Sequence, residues 1–518
     1  MDRIDIKEIE QEIELELISS MKRNLKRHLK EEIETGFSYP QWQAETLKEF
    51  KRFQRENKSI VREKTKGLNN AISKQLKNEL KQSSLREIKK YKKIKGNIDI
   101  PNKNLTHSFF KLNDKKLTSL IDEIQTGTTN ANYGALRMMD DQYRKVVSKA
   151  VMFSNYGAVS PTKAIDMATK DFLNSGINCI EYKDGRRVNI ADYSDMAVRT
   201  ANTRAQLLGE GQFREEIGEH LVKPTKHNTS CKKCAKWEGK VLIDDVYSGG
   251  SKKDGSYPLL SEAMAQGFFH PRCEHSLPTH YPELDKIKFD ENGPTETTMK
   301  QYQKNLNWIN NNLQRCERLI TGSLDKENIR LYEKQKKQWQ RRKELNEIVK
   351  NTRMIISDTF QERTKGAKIK AINKKYSYFD MLTGNIFLGT QSDEYNLIHE
   401  LAHRLQQNFT KEEQKLYNKI ILNKFQKYKR KDFIKIKSKN TGKYYVLKDY
   451  TEFISRYQTR IYEGGFDLFG NLKIEYALEY FSEGVKYYYK NPKLLENKDK
   501  LLYTFIRKVI DKRWKKNF

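Results

Sequence analysis

The chain is read outward from Asn396-Leu397-Ile398-His399-Glu400-Leu401-Ala402-His403-Arg404-Leu405. On a helix, residues four apart share a face, so His399 and His403 can offer two imidazole nitrogens to one metal ion. Glu400 stands between them and can take a proton from water activated on that metal. Leu397, Ile398, Leu401, Ala402 and Leu405 supply the apolar positions that would bury the rest of the helix. The plain alternative is an amphipathic helix that carries two histidines by chance.

Around this stretch lies a chain of 518 residues, too long for one core, so several domains are expected. Charged residues make up 32% and hydrophobic ones only 36%, which points to long solvated helices. Lysine and arginine number 99 against 68 acidic residues, a net charge of +31. Such a balance suits a polyanionic neighbour, with nucleic acid the first guess, but the lysines are spread along the chain rather than gathered in a stripe. No apolar run is long enough for a membrane span, and the charged start Met1-Asp2-Arg3-Ile4-Asp5 has no signal-peptide core. Five cysteines, an odd and sparse set, argue against a disulfide scaffold and for synthesis in a reducing cytoplasm.

The expected fold class is mainly α with α+β parts. Residues 1–222 read as helical, with a break at Gly36–Pro40, a loop around Pro101, and a short hairpin over Cys179–Ile190. Residues 223–285 concentrate glycine, proline, cysteine and histidine in short strands and turns. Residues 286–350 read as a long charged helical hairpin broken at Gly322-Ser323. Residues 351–518 form a last α+β segment. In it, strands over Tyr376–Phe379 and Asn385–Gly389 precede the His399 helix, helix is expected over 411–435, and a hairpin runs through Gly442–Leu447.

The turn-rich segment holds His227-x3-Cys231-x2-Cys234 and then His270-x2-Cys273-x-His275. Cys231 and Cys234 make a two-thiolate clamp, and Cys273 with His275, or His270, can complete a tetrahedral metal site. Alternatively these side chains only brace the turns.

The run His227–Val241, with Tyr257-Pro258-Leu259-Leu260 and Gly267–His275, resembles the signature block of phage minor capsid protein 2, a family related to the Mu F-like minor head proteins. Glu12–Leu25, Gln41-Trp42-Gln43 and Asp195–Ala201 add to the resemblance, which takes in residues 1–350. It implies a helical minor-head module in the virion near the portal, with phage portal and capsid proteins as partners. The chain would be made in the bacterial cytoplasm and could enter the host with the phage DNA. It also implies that a toxin-like C-terminal domain can follow.

A zinc hydrolase of this kind needs a third ligand, and Glu452 and Glu479 compete for the role on spacing alone. Glu479-Tyr480-Phe481-Ser482-Glu483 is similar to the E-x-F-A-E helix of lethal-factor-type zincins, whose first glutamate binds zinc. Phe453-Ile454-Ser455-Arg456-Tyr457 resembles the stretch that brings a tyrosine hydroxyl to such sites, although a longer insertion separates it here from Glu479. The resemblance therefore implies zinc held by His399, His403 and Glu479, with Glu400 as base and Tyr457 as hydrogen-bond donor in a metallopeptidase acting on a protein substrate. Glu483 would support a ligand histidine, and the strand Asn385–Gly389 would pair with an extended substrate. Two other readings remain at this level: a purely structural head protein with an inactive C-terminal domain, and a basic DNA-binding head protein.

Overall fold

The computed structural model describes residues 6–35, 39–95, 108–155, 160–182, 185–226, 232–270, 273, 275–281, 296–438 and 442–510. It is mainly helical and divides into two compact units. Unit 1 comprises residues 1–290 with 312–336, and unit 2 comprises 291–311 with 337–518. Among the described residues, no helix is long and apolar enough to cross a membrane.

Unit 1 is built on α1 (Ile6–Thr35), α2 (Tyr39–Lys95), α3 (Ser108–Asn155), α4 (Pro161–Ser175) and, after the hairpin β1 (Ile180–Glu181)–β2 (Arg187–Val188), α5 (Ile190–Ile217). Apolar residues recur at helical spacing and meet across these helices. Leu68, Ile72, Leu76 and Leu80 of α2 pack with Leu117, Leu120 and Ile124 of α3 and Val198, Ala201 and Ala205 of α5. A second cluster joins Ile13, Leu17 and Met21 to Phe53, Met139, Tyr143 and Phe172. α2 and α5 approach closely at Gly209, where a Cβ would overlap the Leu80 carbonyl and the Ser83 hydroxyl. Helix ends follow their sequence signals. Ser160 caps α4 ahead of Pro161, and Gly176 closes it at φ 76°.

Beyond α5, regular structure is sparse: β3 (Leu221–Val222), α6 (Lys232–Ala235), β4 (Leu242–Ile243) and α7 (Leu260–Ala265). β3 and β4 pair antiparallel. Arg214, fully buried, bonds Asp244 at 2.9 Å and 3.2 Å and the Leu277 carbonyl at 3.3 Å, tying the end of α5 to this region. A buried charge tolerates such a place only when it is paired and hydrogen-bonded.

α8 (Glu296–Gly322) and α9 (Lys326–Ile355) form the expected helical hairpin, and each of the two helices is divided between the units. Residues at its turn belong to unit 1. There Asp166 accepts the backbone N–H groups of Leu324 (2.7 Å) and Asp325 (3.2 Å), and Arg318 donates to the Leu173 and Asn174 carbonyls. Residues at its open end belong to unit 2, where Trp308 and Trp339 meet edge to face at 4.7 Å. The division therefore falls inside the hairpin rather than at 350/351.

Unit 2 continues with α10 (Asp358–Arg363), β5 (Ile369–Ala371), β6 (Tyr378–Phe379), β7 (Ile386–Leu388), α11 (Glu394–Gln407) and α12 (Lys411–Phe425). These are followed by β8 (Phe433–Ser438), β9 (Gly442–Leu447), β10 (Ile461–Tyr462), α13 (Glu479–Lys490), α14 (Pro492–Lys498) and α15 (Lys500–Ile510). One sheet has the order β5-β7-β6, parallel in its first pair and antiparallel in its second; the other is the antiparallel β10-β9-β8. The core gathers Ile386 and Leu388 of β7, Leu397, Ile398, Leu401 and Leu405 of α11, Tyr480, Phe481 and Val485 of α13, and Leu502, Phe505 and Ile506 of α15.

Two expectations change here. β7, the Asn385–Gly389 strand, lies in the middle of its sheet with a neighbour on each side, so it has no free edge for a substrate; β6 has one. The helix expected over 411–435 ends at Phe425, and Phe433–Ser438 is a strand. Its sequence Phe-Ile-Lys-Ile-Lys-Ser has the residue types that favour a pleated surface, and six cross-strand pairs to β9 outweigh any helical tendency.

Candidate metal centre

α11 starts where its sequence says it should. Asp393 accepts the Asn396 N–H at 2.8 Å and Asn396 returns a bond to the Asp393 N–H, a reciprocal cap that fixes the helix entry. Its apolar face goes to the core, which leaves His399 and His403 together on another face, ring centroids 5.0 Å apart. Glu479, the first residue of α13, reaches both histidines. Its Oε2 lies 2.9 Å from His399 Nε2 and 3.3 Å from His403 Nε2. Ligand-type atoms of all three lie within 4.8 Å of one another.

These spacings fit zinc. Bonds of about 2.0–2.1 Å at the tetrahedral angle put neighbouring ligand atoms roughly 3.3 Å apart. The surroundings also match that donor set. Glu479 Oε1 accepts the Tyr462 hydroxyl, and Ser482 Oγ lies 3.4 Å from Oε2. Glu483 Oε2 sits 3.1 Å from His399 Nδ1, an ion-pair contact outside good hydrogen-bond angle. Glu483 is itself held by Ser455 Oγ at 3.0 Å and Lys486 Nζ at 3.3 Å. A carboxylate behind a histidine sets which ring nitrogen faces a metal.

The electrostatics follow from burial against pairing. Burial disfavours a charged His399, but the contacts with Glu479 and Glu483 outweigh it and push the imidazole up to about 10. Burial likewise pushes Glu479 up, and its two histidine partners override this to hold it well below the usual carboxylate range. Glu400 has no such close partner. Burial raises it, with the neighbouring histidines and the Phe379 backbone N–H only partly offsetting the shift.

The structure brings together His399, Glu400, His403, Glu479 and Glu483. Tyr457 stands beside them, its ring 5.5 Å from that of His399 and the residue 39% exposed, while burial of the phenol pushes its pKa up. Glu452, the competing third ligand, is instead exposed and pairs with Lys427 at 2.5 Å. Sequence reading missed Tyr462 and Arg460. Arg460 lies over both Tyr457 and Tyr444, 4.1 Å from each ring centroid. Nothing in the sequence marks Tyr462, which lies opposite Tyr444 in the β9–β10 pair.

In unit 1, Cys234, Cys273 and His275 form a second group of ligand-type atoms. Cys234 Sγ and Cys273 Sγ are 3.9 Å apart, and Cys273 Sγ is 3.2 Å from His275 Nδ1. His275 Nε2 bonds Glu238 Oε1 at 2.8 Å, a partner that spacing did not suggest. His227 and Cys231 lie outside the described residues.

Comparison with known proteins bears on unit 1 most. A structural protein of Lactococcus phage LL-H is 22% identical over 262 residues, 50% of this chain and 63% of that protein. The chain thus spans less than two thirds of that relative's length. No solved structure matches. The family model for phage minor capsid protein 2 matches residues 4–375, ending ahead of α11 and the His399 centre. Since that match takes in most of the chain, the protein belongs to the phage minor capsid protein 2 family.

Proposed function

We propose that this minor capsid protein is a component of the phage head that carries a zinc-dependent, zincin-like peptidase in unit 2. The observation that carries the reading is the convergence of Glu479 on His399 and His403 across 80 residues of chain. His399, His403 and Glu479 would hold zinc, which would supply Lewis acidity and lower the pKa of a water toward neutral pH. Glu400, between the ligand histidines, accepts the proton of that water and passes it to the leaving amine. Tyr457 donates a hydrogen bond to the oxygen that becomes negative at the scissile carbonyl. Tyr462 and Ser482 hold Glu479, and Glu483 holds His399.

The substrate strand lies along β6. Phe379 of β6 stacks on His403 at 6.0 Å between ring centroids, and β6 is an edge strand among the described residues, which supports this reading. An extended peptide adding to the edge gains backbone hydrogen bonds and presents its scissile carbonyl to the water that Glu400 deprotonates.

The test uses the full-length chain. Wild type retains zinc in unit 2, His399→Ala loses that ion, and Glu400→Gln keeps it while abolishing cleavage of an unstructured peptide library. A wild-type chain whose zinc content is unchanged by His399→Ala, or a Glu400→Gln variant that still cleaves, overturns the proposal. The net charge of +31 supports a second property, contact with packaged DNA, for which binding falls steeply with salt.

A further inference from the structure

We propose that Cys234, Cys273 and His275 hold a structural zinc ion in unit 1, separate from the His399 centre, and that Glu238 positions His275 for it. The sulfur separation of 3.9 Å is far beyond a disulfide bond of about 2.05 Å. It lies close to the roughly 3.8 Å expected of two thiolates on one tetrahedral zinc, given Zn–S bonds of about 2.3 Å. His275 Nδ1, 3.2 Å from Cys273 Sγ, faces the same point. The ring's other nitrogen is engaged by Glu238 at 2.8 Å. With the N–H on Nε2 donating to that carboxylate, Nδ1 carries the lone pair that a metal takes, the arrangement typical of ligand histidines.

The place in the fold explains the need. Cys234 sits on the four-residue α6, and Cys273 follows it by 39 residues. Between them, among the described residues, regular structure amounts to the rest of α6, β4, a short 3₁₀ turn and α7, and turns make up the remainder. Its core is small, with Val222, Trp237, Leu242, Leu260, Ala263 and Phe268 as its main members. Small, turn-rich regions lack the apolar area to hold themselves and are commonly stapled by disulfides or metal. Cys234 is 1% and His275 5% exposed, and Phe268 packs edge-on to the histidine at 5.6 Å. With Cys234 and His275 buried, the ion's part is to close the loop. The three residues are three of the four ligands that a structural zinc takes.

Cobalt substitution of the full-length chain reads this site alone, because only it has sulfur ligands. Wild type and His399→Ala show the near-ultraviolet sulfur-to-cobalt charge-transfer band, and Cys273→Ser loses it. Glu238→Gln keeps the band but binds zinc about 10- to 100-fold more weakly in competition with a chelator. If Cys273→Ser does not fold, wild type answers the question: chelation must raise the alkylation rate of Cys234 and Cys273. Absence of the band in wild type, a Cys234–Cys273 disulfide in the mass spectrum, or thiol reactivity unchanged by chelation overturns the proposal. None of these outcomes depends on whether unit 2 is a peptidase.

Discussion

Glu479 uses both carboxylate oxygens, Oε2 toward the two histidines and Oε1 toward Tyr462. Removing the Tyr462 hydroxyl frees that carboxylate to rotate, so Tyr462→Phe is expected to weaken zinc affinity by about 10- to 100-fold, measured by chelator competition. Tyr457→Phe is expected to leave zinc affinity unchanged and to lower kcat by roughly 10²-fold, because the proposed mechanism gives its hydroxyl to the reacting carbonyl. The two variants therefore separate positioning from catalysis. His399, Glu400 and His403 were legible because four-residue spacing is a local property of one helix. Glu479 and Tyr457 were legible only through family resemblance, since nothing in the intervening chain gives their distance. Tyr462, Arg460 and Glu238 carry no motif at all and reach their partners through tertiary folding. Glu10 of α1 shows the same limit. It looks like a solvated helix glutamate in sequence, yet it is fully buried, with Ser194 donating to Oε1 at 2.7 Å and no hydrogen-bond partner on Oε2. Burial pushes it up to about 7 from the ordinary 4.5. A carboxyl raised in the folded state stabilises fully below about 4.5, and that contribution is lost as pH climbs to about 7. Glu10→Gln should therefore raise the stability of unit 1 at pH 8 by on the order of 3 kcal/mol relative to wild type and have little effect near pH 4. Thermal unfolding at the two pH values checks it.

Helices were the readable elements, since their apolar spacing and caps are written locally: Ser160-Pro161 opens α4, and Asp393 with Asn396 opens α11. Strand order was not readable. β7 is central because β5, from outside the hairpin, pairs with it in parallel, and a parallel partner leaves no turn signal in the sequence. The close approach of α2 and α5 was also hidden, because a glycine inside a helix looks like a weak point until a neighbour is seen against it. Gly209→Ala forces the Leu80 carbonyl and Ser83 aside and breaks the Ser84 bond to the Gly209 carbonyl, now 3.0 Å. The expected cost is about 1–3 kcal/mol in unit 1. Calorimetry should show the lower transition, and zinc bound at His399 should be unchanged.

At the level of the whole molecule, the two units have separate apolar cores, one drawn from α1–α5 and the other from α11–α15 with β7. Each is large enough to melt cooperatively. His399→Ala in zinc-loaded protein is expected to lower one calorimetric transition, that of unit 2, by several degrees, and to leave the other in place. A single merged transition shifted as one would count against independent cores. The mainly helical class and the family were legible from composition and from the cysteine–histidine block. The division inside the hairpin was not, because α8 and α9 run on without a glycine or proline at 311/312 or 336/337. That shared hairpin bears on how an effector leaves its carrier. The chain passes between units three times, so no single peptide-bond cut sets unit 2 free intact. A nick at the hairpin turn leaves 291–311 on the carrier and takes 326–336 out of it, and with them Tyr332 from the unit 1 core. Proteolytic liberation would thus damage both halves. If unit 2 is the peptidase proposed above, its delivery is expected to carry the minor capsid protein with it as one uncut chain.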